Sequence, residues 1–238
     1  METVRIFGDS IMKRVVYNES DNRYRMLPVE AVNDFGSRLG LEIINSTIFG
    51  CTIGKGMQLL QRALTKGLTC DYVLLEFGGN DCDFLWQEVA LKPTEDHQPK
   101  TPLDEFNETL KSMISLLIDR GIKPLLTTLP PIDAERYLSH ICRDGLNRKN
   151  ILSWLTDIKA IERFQELYSL QIAKIALETS TRLIDIRSGF LKRKDCGSLI
   201  CEDGIHPNEQ GHELILELLE DYREKHTPHY IENLSQTI

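Results

Sequence analysis

What most restricts the fold of this chain is a regular alternation of short apolar runs with segments of helical period. VRIFG (4–8), LEIINSTI (41–48) and YVLLEFG (72–78) each end in glycine or a polar turn. Between them lie VEAVNDFGSRLG (29–40) and TIGKGMQLLQRALTKG (52–67), whose apolar residues recur nearer to every 3.6 positions than every second one. The predicted order is therefore β-α-β-α-β. Alternation of this kind requires parallel strands covered by helices on both faces.

The pattern resumes after an interruption. Thr101 and Asp104 have the spacing of a capping box with Pro102 at the first helical position, and Phe106, Leu110, Met113, Ile114 and Leu117 then share one face. KPLLTTL (123–129) reads as a fourth strand, ended by Pro130 and Pro131. A long helix striped by Ile161, Phe164, Tyr168, Ile172 and Ile175 precedes a fifth strand at TRLIDI (181–186). The last helix is expected from about Asn208 to Arg223. No repeat or low-complexity stretch interrupts residues 1–238, so a single domain is expected. The segments 81–101 and 130–155 are too long for simple connections and read as lids or binding loops.

Composition narrows the classes of function. With 41% hydrophobic and 27% charged residues in 238, disorder is excluded. A net charge of -8 provides no overall positive field, so nucleic acid is not expected as a partner. No run of about 18 uncharged apolar residues is present to span a membrane. METVRIFGDS enters a strand at once, without the apolar region of a secretory signal, and a cytoplasmic protein is expected. The six cysteines form no CxxC pair and are expected as free thiols, Cys196 and Cys201 being the pair closest in sequence. His97, His140, His212, His226 and His229 show no ligand spacing, so no metal is expected.

Four short segments could carry chemistry. In FGDS (7–10), Ser10 follows a strand and precedes IMKRVVY, read as a helical turn, so its hydroxyl would stand at the carboxyl edge of the sheet. A helix start there would also favour a developing oxyanion, although Asp9 or Ser10 capping that helix is the plain structural alternative. In EDGIHPNEQGHE (202–213), Asp203 is close enough to His206 to hold one imidazole nitrogen and leave the other facing a hydroxyl. In FGGND (77–81), Gly78 and Gly79 allow a tight turn from which Asn80 projects a neutral amide suited to an oxyanion. In NSTIFGCTIGKG (45–56), Gly50, Gly54 or Gly56 could present a backbone N–H to a substrate oxygen.

In their order and spacing, GDS, a glycine after the second strand, GxND after the third and DxxHP near the C-terminus resemble the four blocks of the GDSL/SGNH hydrolase family. The first block reads GDSI here. The resemblance implies a flavodoxin-like three-layer α/β/α sandwich with a five-stranded parallel sheet in the order 2-1-3-4-5. It also implies hydrolysis of esters or thioesters without a cofactor, lysophospholipase or thioesterase activity being alternatives to a simple esterase. Carried over block by block, Ser10 would be the nucleophile and His206 its base. Asp203 would orient that base, and Ser10, Gly50 and Asn80 would form the oxyanion hole.

The aromatic and polar residues in 81–101 and 130–155 point to a short acyl group, acetyl above all, on a polar acceptor such as a sugar. Asp9, Asp81, Trp86 and Tyr137 are the expected substrate contacts, although the aromatics could equally anchor the loops in a core. Two non-catalytic readings compete: a flavodoxin-like module for a flavin or phosphate, and a carbohydrate-binding protein on a hydrolase fold. Cys82, beside Asn80, has no evident base and reads as a structural thiol.

Overall fold

The computed structural model of the protein describes residues 1–226. It opens with β1 (Glu2–Gly8), a hairpin of β2 (Val15–Asn18) and β3 (Arg23–Met26), α1 (Glu30–Leu39), β4 (Leu41–Asn45), α2 (Ile53–Thr65) and β5 (Tyr72–Glu76). There follow α3 (Trp86–Leu91), α4 (Leu103–Ile118), β6 (Lys123–Thr127), α5 (Ala134–Cys142), α6 (Arg148–Leu155) and α7 (Ala160–Glu178). The described chain closes with β7 (Arg182–Ile184), α8 (Ile186–Leu191) and α9 (Glu209–Lys225).

Five strands form one parallel sheet in the order β4-β1-β5-β6-β7. Counted without the hairpin, that is 2-1-3-4-5. Side chains on successive strand positions point to opposite faces, so β5 supplies Val73 and Leu75 to one core and Tyr72 and Leu74 to the other. On the first face α2, α4 and α7 bury Leu60, Ile114 and Ile175 against the sheet. On the second, α8 and α9 bury Phe190 and Ile215. A side chain of this size contributes about 1.5–3 kcal/mol when fully buried, so the two layers hold the strand ends at fixed positions.

The chain after Ser10 departs from expectation. Instead of a helix it makes tight turns, with Lys13 N–H donating to Asp9 O at 3.1 Å and Val15 N–H to Ser10 O at 3.0 Å. Arg14 then takes a left-handed φ of 59°, which ends any helical path. Val15, Val16 and Tyr17 are β-branched or aromatic, and they pair with Met26, Arg25 and Tyr24 as a hairpin. Ser10 therefore does not sit at a helix N-terminus.

The capping box is also absent. Thr101 donates its hydroxyl to Asp81 Oδ1 at 2.7 Å, and Pro102 is the residue before the helix, not its first member. The two long segments are not open loops: they hold α3, α5 and α6, which form a third apolar cluster around Phe84, Trp86, Leu138 and Ile151. All six cysteines are free. Among the described residues no helix is long and apolar enough to cross a membrane. His229 lies outside the described residues.

Candidate active site

The carboxyl ends of β1 and β5 stand side by side, with Gly8 paired to Glu76. Ser10 follows one strand and Asn80 the other, so register alone brings their segments to one edge. His206 arrives from the far end of the sequence, in the turn before α9. Gly204 makes that turn possible: its φ is 79°, and a Cβ there would lie 2.4 Å from Tyr137 N and 2.5 Å from Asp133 O. Its carbonyl accepts from Asp133 N–H at 2.8 Å, which ties the turn to the start of α5.

His206 Nδ1 lies 2.5 Å from Asp203 Oδ2, and its Nε2 lies 2.8 Å from Ser10 Oγ. With the Nδ1 proton held by the carboxylate, Nε2 is the acceptor for the Ser10 hydroxyl. Asp203 also accepts from the N–H groups of Ile205 and His206, each at 3.2 Å. Burial pushes Asp203 up, but hydrogen bonding to His206 and the His206 charge outweigh it and leave its carboxyl below the ordinary range. Asp203 thus faces His206 as a carboxylate.

Asn80 donates its Nδ2 to Asp9 Oδ2 at 2.7 Å, and Asp9 Oδ1 accepts from Ile11 N–H at 2.8 Å. One amide proton of Asn80 is thereby committed, which fixes the plane of the group and leaves the other to a ligand. Ser10, Gly50, Asn80 and His206 all line one cavity of about 290 Å³. Gly50 has a φ of 68° with open space where a Cβ would stand. Gly54 and Gly56 belong to α2, and Gly56 is packed against the Phe77 ring. In the hydrogen-bond network of the described residues neither Ser10 N–H nor Gly50 N–H is used as a donor. Both are free for an oxygen in the cavity.

The expected substrate contacts separate. Asp9 lines the cavity, but its two oxygens are occupied by Ile11 and Asn80. Asp81 lies outside the wall: it accepts from Ile53 N–H, Gly78 N–H and the Thr101 hydroxyl, and so joins three loops beneath the site. Trp86 and Tyr137 do line the cavity. Their polar atoms are committed to Asp83, which lines the same cavity, Trp86 Nε1 and Tyr137 OH each donating to its Oδ1 at 2.7 Å. Lys100 closes that cluster through Asp83 Oδ2 at 2.8 Å. Phe84, Leu129, Ile161 and Phe164 make much of this wall apolar, with Asp83, His140 and Gln165 as its polar members.

Sequence reading missed Tyr24 and Phe49. The Tyr24 ring meets the His206 ring edge-on at 5.2 Å, and the Phe49 ring stacks with it at 5.9 Å. Phe49 directly precedes Gly50 and was within reach. Tyr24 was hidden because IMKRVVY, the first arm of its hairpin, reads as a helical turn and the second arm carries no strand signal, and its hydroxyl is held by His140 Nε2 at 3.0 Å. Cys82 is buried, donates its thiol to Gly79 O, and burial pushes it well up, away from thiolate chemistry. Among the described residues no three His, Cys, Asp or Glu side chains gather to hold a metal.

A family model described as GDSL-like lipase/acylhydrolase matches residues 4–219. The chain belongs to that family. Two curated plant proteins are similar to it, the GDSL esterase/lipase WDL1 of Oryza sativa subsp. japonica at 23% identity and CPRD49 of Arabidopsis thaliana at 21%. These matches cover 74% and 73% of this chain but 63% of each relative. Among solved structures, a lipase/acylhydrolase from Enterococcus faecalis shares the fold with a TM-score of 0.62 at 19% identity, over 96% of this chain and 98% of that one. An acetylxylan esterase from Geobacillus stearothermophilus does so at 0.60 and 21%, over 93% and 94%. The GDSL block of this family member ends in Ile11, whose N–H serves Asp9 and whose side chain packs in the second core.

Proposed function

We propose that the protein is a serine hydrolase that cleaves carboxylic esters through an acyl-enzyme. One observation carries this reading: a single imidazole, His206, lies 2.8 Å from Ser10 Oγ on one nitrogen and 2.5 Å from Asp203 on the other. His206 takes the Ser10 proton as Oγ attacks the carbonyl carbon, and Asp203 stabilises the imidazolium that forms. Charge gathers on the carbonyl oxygen, where Ser10 N–H, Gly50 N–H and the Asn80 amide receive it. His206 then protonates the departing alcohol, and a water activated by the same imidazole releases the acid. Covalent labelling of Ser10 by a fluorophosphonate tests the reading against a non-catalytic carbohydrate-binding or flavodoxin-like module. An unlabelled serine in folded protein would defeat it.

For the substrate, we infer a small acyl group such as acetyl on a polar acceptor, in keeping with the acetylxylan esterase that shares the fold. A second reading has its own observation. Much of the cavity wall is apolar, built from Phe84, Leu129, Ile161 and Phe164, and such a wall favours a longer aliphatic chain. Rates on p-nitrophenyl esters of increasing length separate the two. A maximum at two to four carbons supports acetyl, and one at eight or more overturns it.

A further inference from the structure

The last residue of β5 is a glutamate that the proposed reaction does not use. Glu76 is fully buried, yet it lies on the cavity wall directly beneath Asp9. Its Oε2 accepts from Asp9 N–H at 3.2 Å, while its Oε1 receives no hydrogen bond. The two carboxyl groups are therefore neighbours, and both residues are sealed from water. Two adjacent carboxyl groups buried in this way do not both stay ionised, so one carries a proton. Asp9 already accepts from Ile11 N–H and from Asn80 Nδ2, both of which favour its anion. The proton therefore belongs on Glu76.

The backbone makes room for this arrangement. Gly8 sits opposite Glu76 in the sheet, and a Cβ on Gly8 would come within 2.9 Å of both Glu76 O and Oε2. The glycine of the GDS block thus admits a glutamate side chain between β1 and β5.

We propose that Glu76 is a positioning residue: as a neutral carboxylic acid it donates to Asp9, which keeps Asp9 an anion aimed at the Asn80 amide. Asn80 is then held in the plane that an oxyanion requires. Burial, reinforced by the Asp9 charge, pushes the Glu76 carboxyl well up and agrees with this assignment. The inference rests on the ester-hydrolase reading, since it is that reaction which gives Asn80 its purpose.

The test compares Glu76→Gln and Glu76→Leu with wild type on p-nitrophenyl acetate, alone and in an Asn80→Ala background. Glutamine can reproduce both contacts, its oxygen accepting from Asp9 N–H and its amide donating to the Asp9 carboxylate. Glu76→Gln is expected to keep kcat within about fivefold, whereas Glu76→Leu loses at least about tenfold in kcat with KM nearly unchanged, because an oxyanion donor acts only in the transition state. In the Asn80→Ala background the leucine should cost little more. Wild-type kcat in a folded Glu76→Leu, or a full additional loss on top of Asn80→Ala, would overturn the proposal. If leucine prevents folding, a folded Glu76→Gln with kcat down by more than thirtyfold would do so. Absence of hydrolysis by wild type would instead count against the ester-hydrolase reading itself.

Discussion

His206 Nε2 and Ser10 Oγ meet at 2.8 Å although 196 residues separate them in the chain. No local sequence preference could produce that contact. It depends on β1 lying inside the sheet, on α9 packing beneath it, and on the Asp203–His206 turn being docked on α5. Replacing the hydroxyl leaves all of this packing intact. Ser10→Ala is therefore expected to fold with an unchanged melting temperature and to lose at least about 10⁴ in kcat on p-nitrophenyl acetate. Turnover within tenfold of wild type would remove Ser10 from the chemistry.

Asn80 separates binding from rate. Its amide is held by Asp9 and its side chain lines the cavity, so in the proposed reaction truncation should leave the ground-state complex nearly as stable while removing one oxyanion donor. Asn80→Ala is expected to lower kcat by about 10² to 10³ with KM changed by less than about threefold. A rise in KM at constant kcat would mean that the amide binds substrate in its ground state.

Much of this site was legible because its parts stand where chain direction changes. Strand ends are marked by FGDS, INSTIFG and FGGND, and a parallel sheet brings such ends to one edge. The five sheet strands were readable from apolar runs for the same reason. The hairpin was not: RVVY between two polar stretches carries either period over so few residues, and only the left-handed Arg14 decides it. Helices α5 and α6 left a fainter trace in their caps, since Asp133 accepts from Arg136 N–H and Asn147 from Asn150 N–H. Glu76 gave no signal, and Asp81, expected at the substrate, has a structural role that sequence could not show. A carboxylate at a strand end looks solvated in sequence, and only packing shows that one is sealed beside Asp9 while the other ties three loops together.

Gly204 links fold and chemistry most tightly. A side chain there meets two backbone atoms of α5 and its preceding turn at under 2.6 Å, and the required φ is left-handed. Backbone cannot retreat as a flexible side chain could. Gly204→Ala is expected to cost about 2 kcal/mol or more in stability and to displace His206 from Ser10. A thermal melt and a kcat measurement check this together: loss of activity without loss of stability, or neither, would show that the turn yields more readily than its contacts imply.

His212 gives the stability of the fold a pH dependence of definite sign. It is buried on α9, and its Nε2–H donates to Val15 O at 3.0 Å, tying the helix to the hairpin behind the site. Burial drives its value down from 6.5 to about 4, against the opposing pull of the Val15 bond. A basic group depressed in the folded state binds its proton more readily in the unfolded chain. Its contribution is therefore complete above pH 6.5 and is lost as pH falls from 6.5 through 4, a change of about 3 kcal/mol. Asp81, raised to about 6 by burial, works in the opposite direction over part of the same window, so wild type alone would show only the sum. The comparison with His212→Gln isolates the histidine, because glutamine is neutral throughout and Asp81 is common to both. Denaturant midpoints measured from pH 8 to pH 4 should show a constant difference above pH 7. Below 6.5 that difference should move in favour of glutamine, and a gap independent of pH would mean that His212 carries the same charge folded and unfolded.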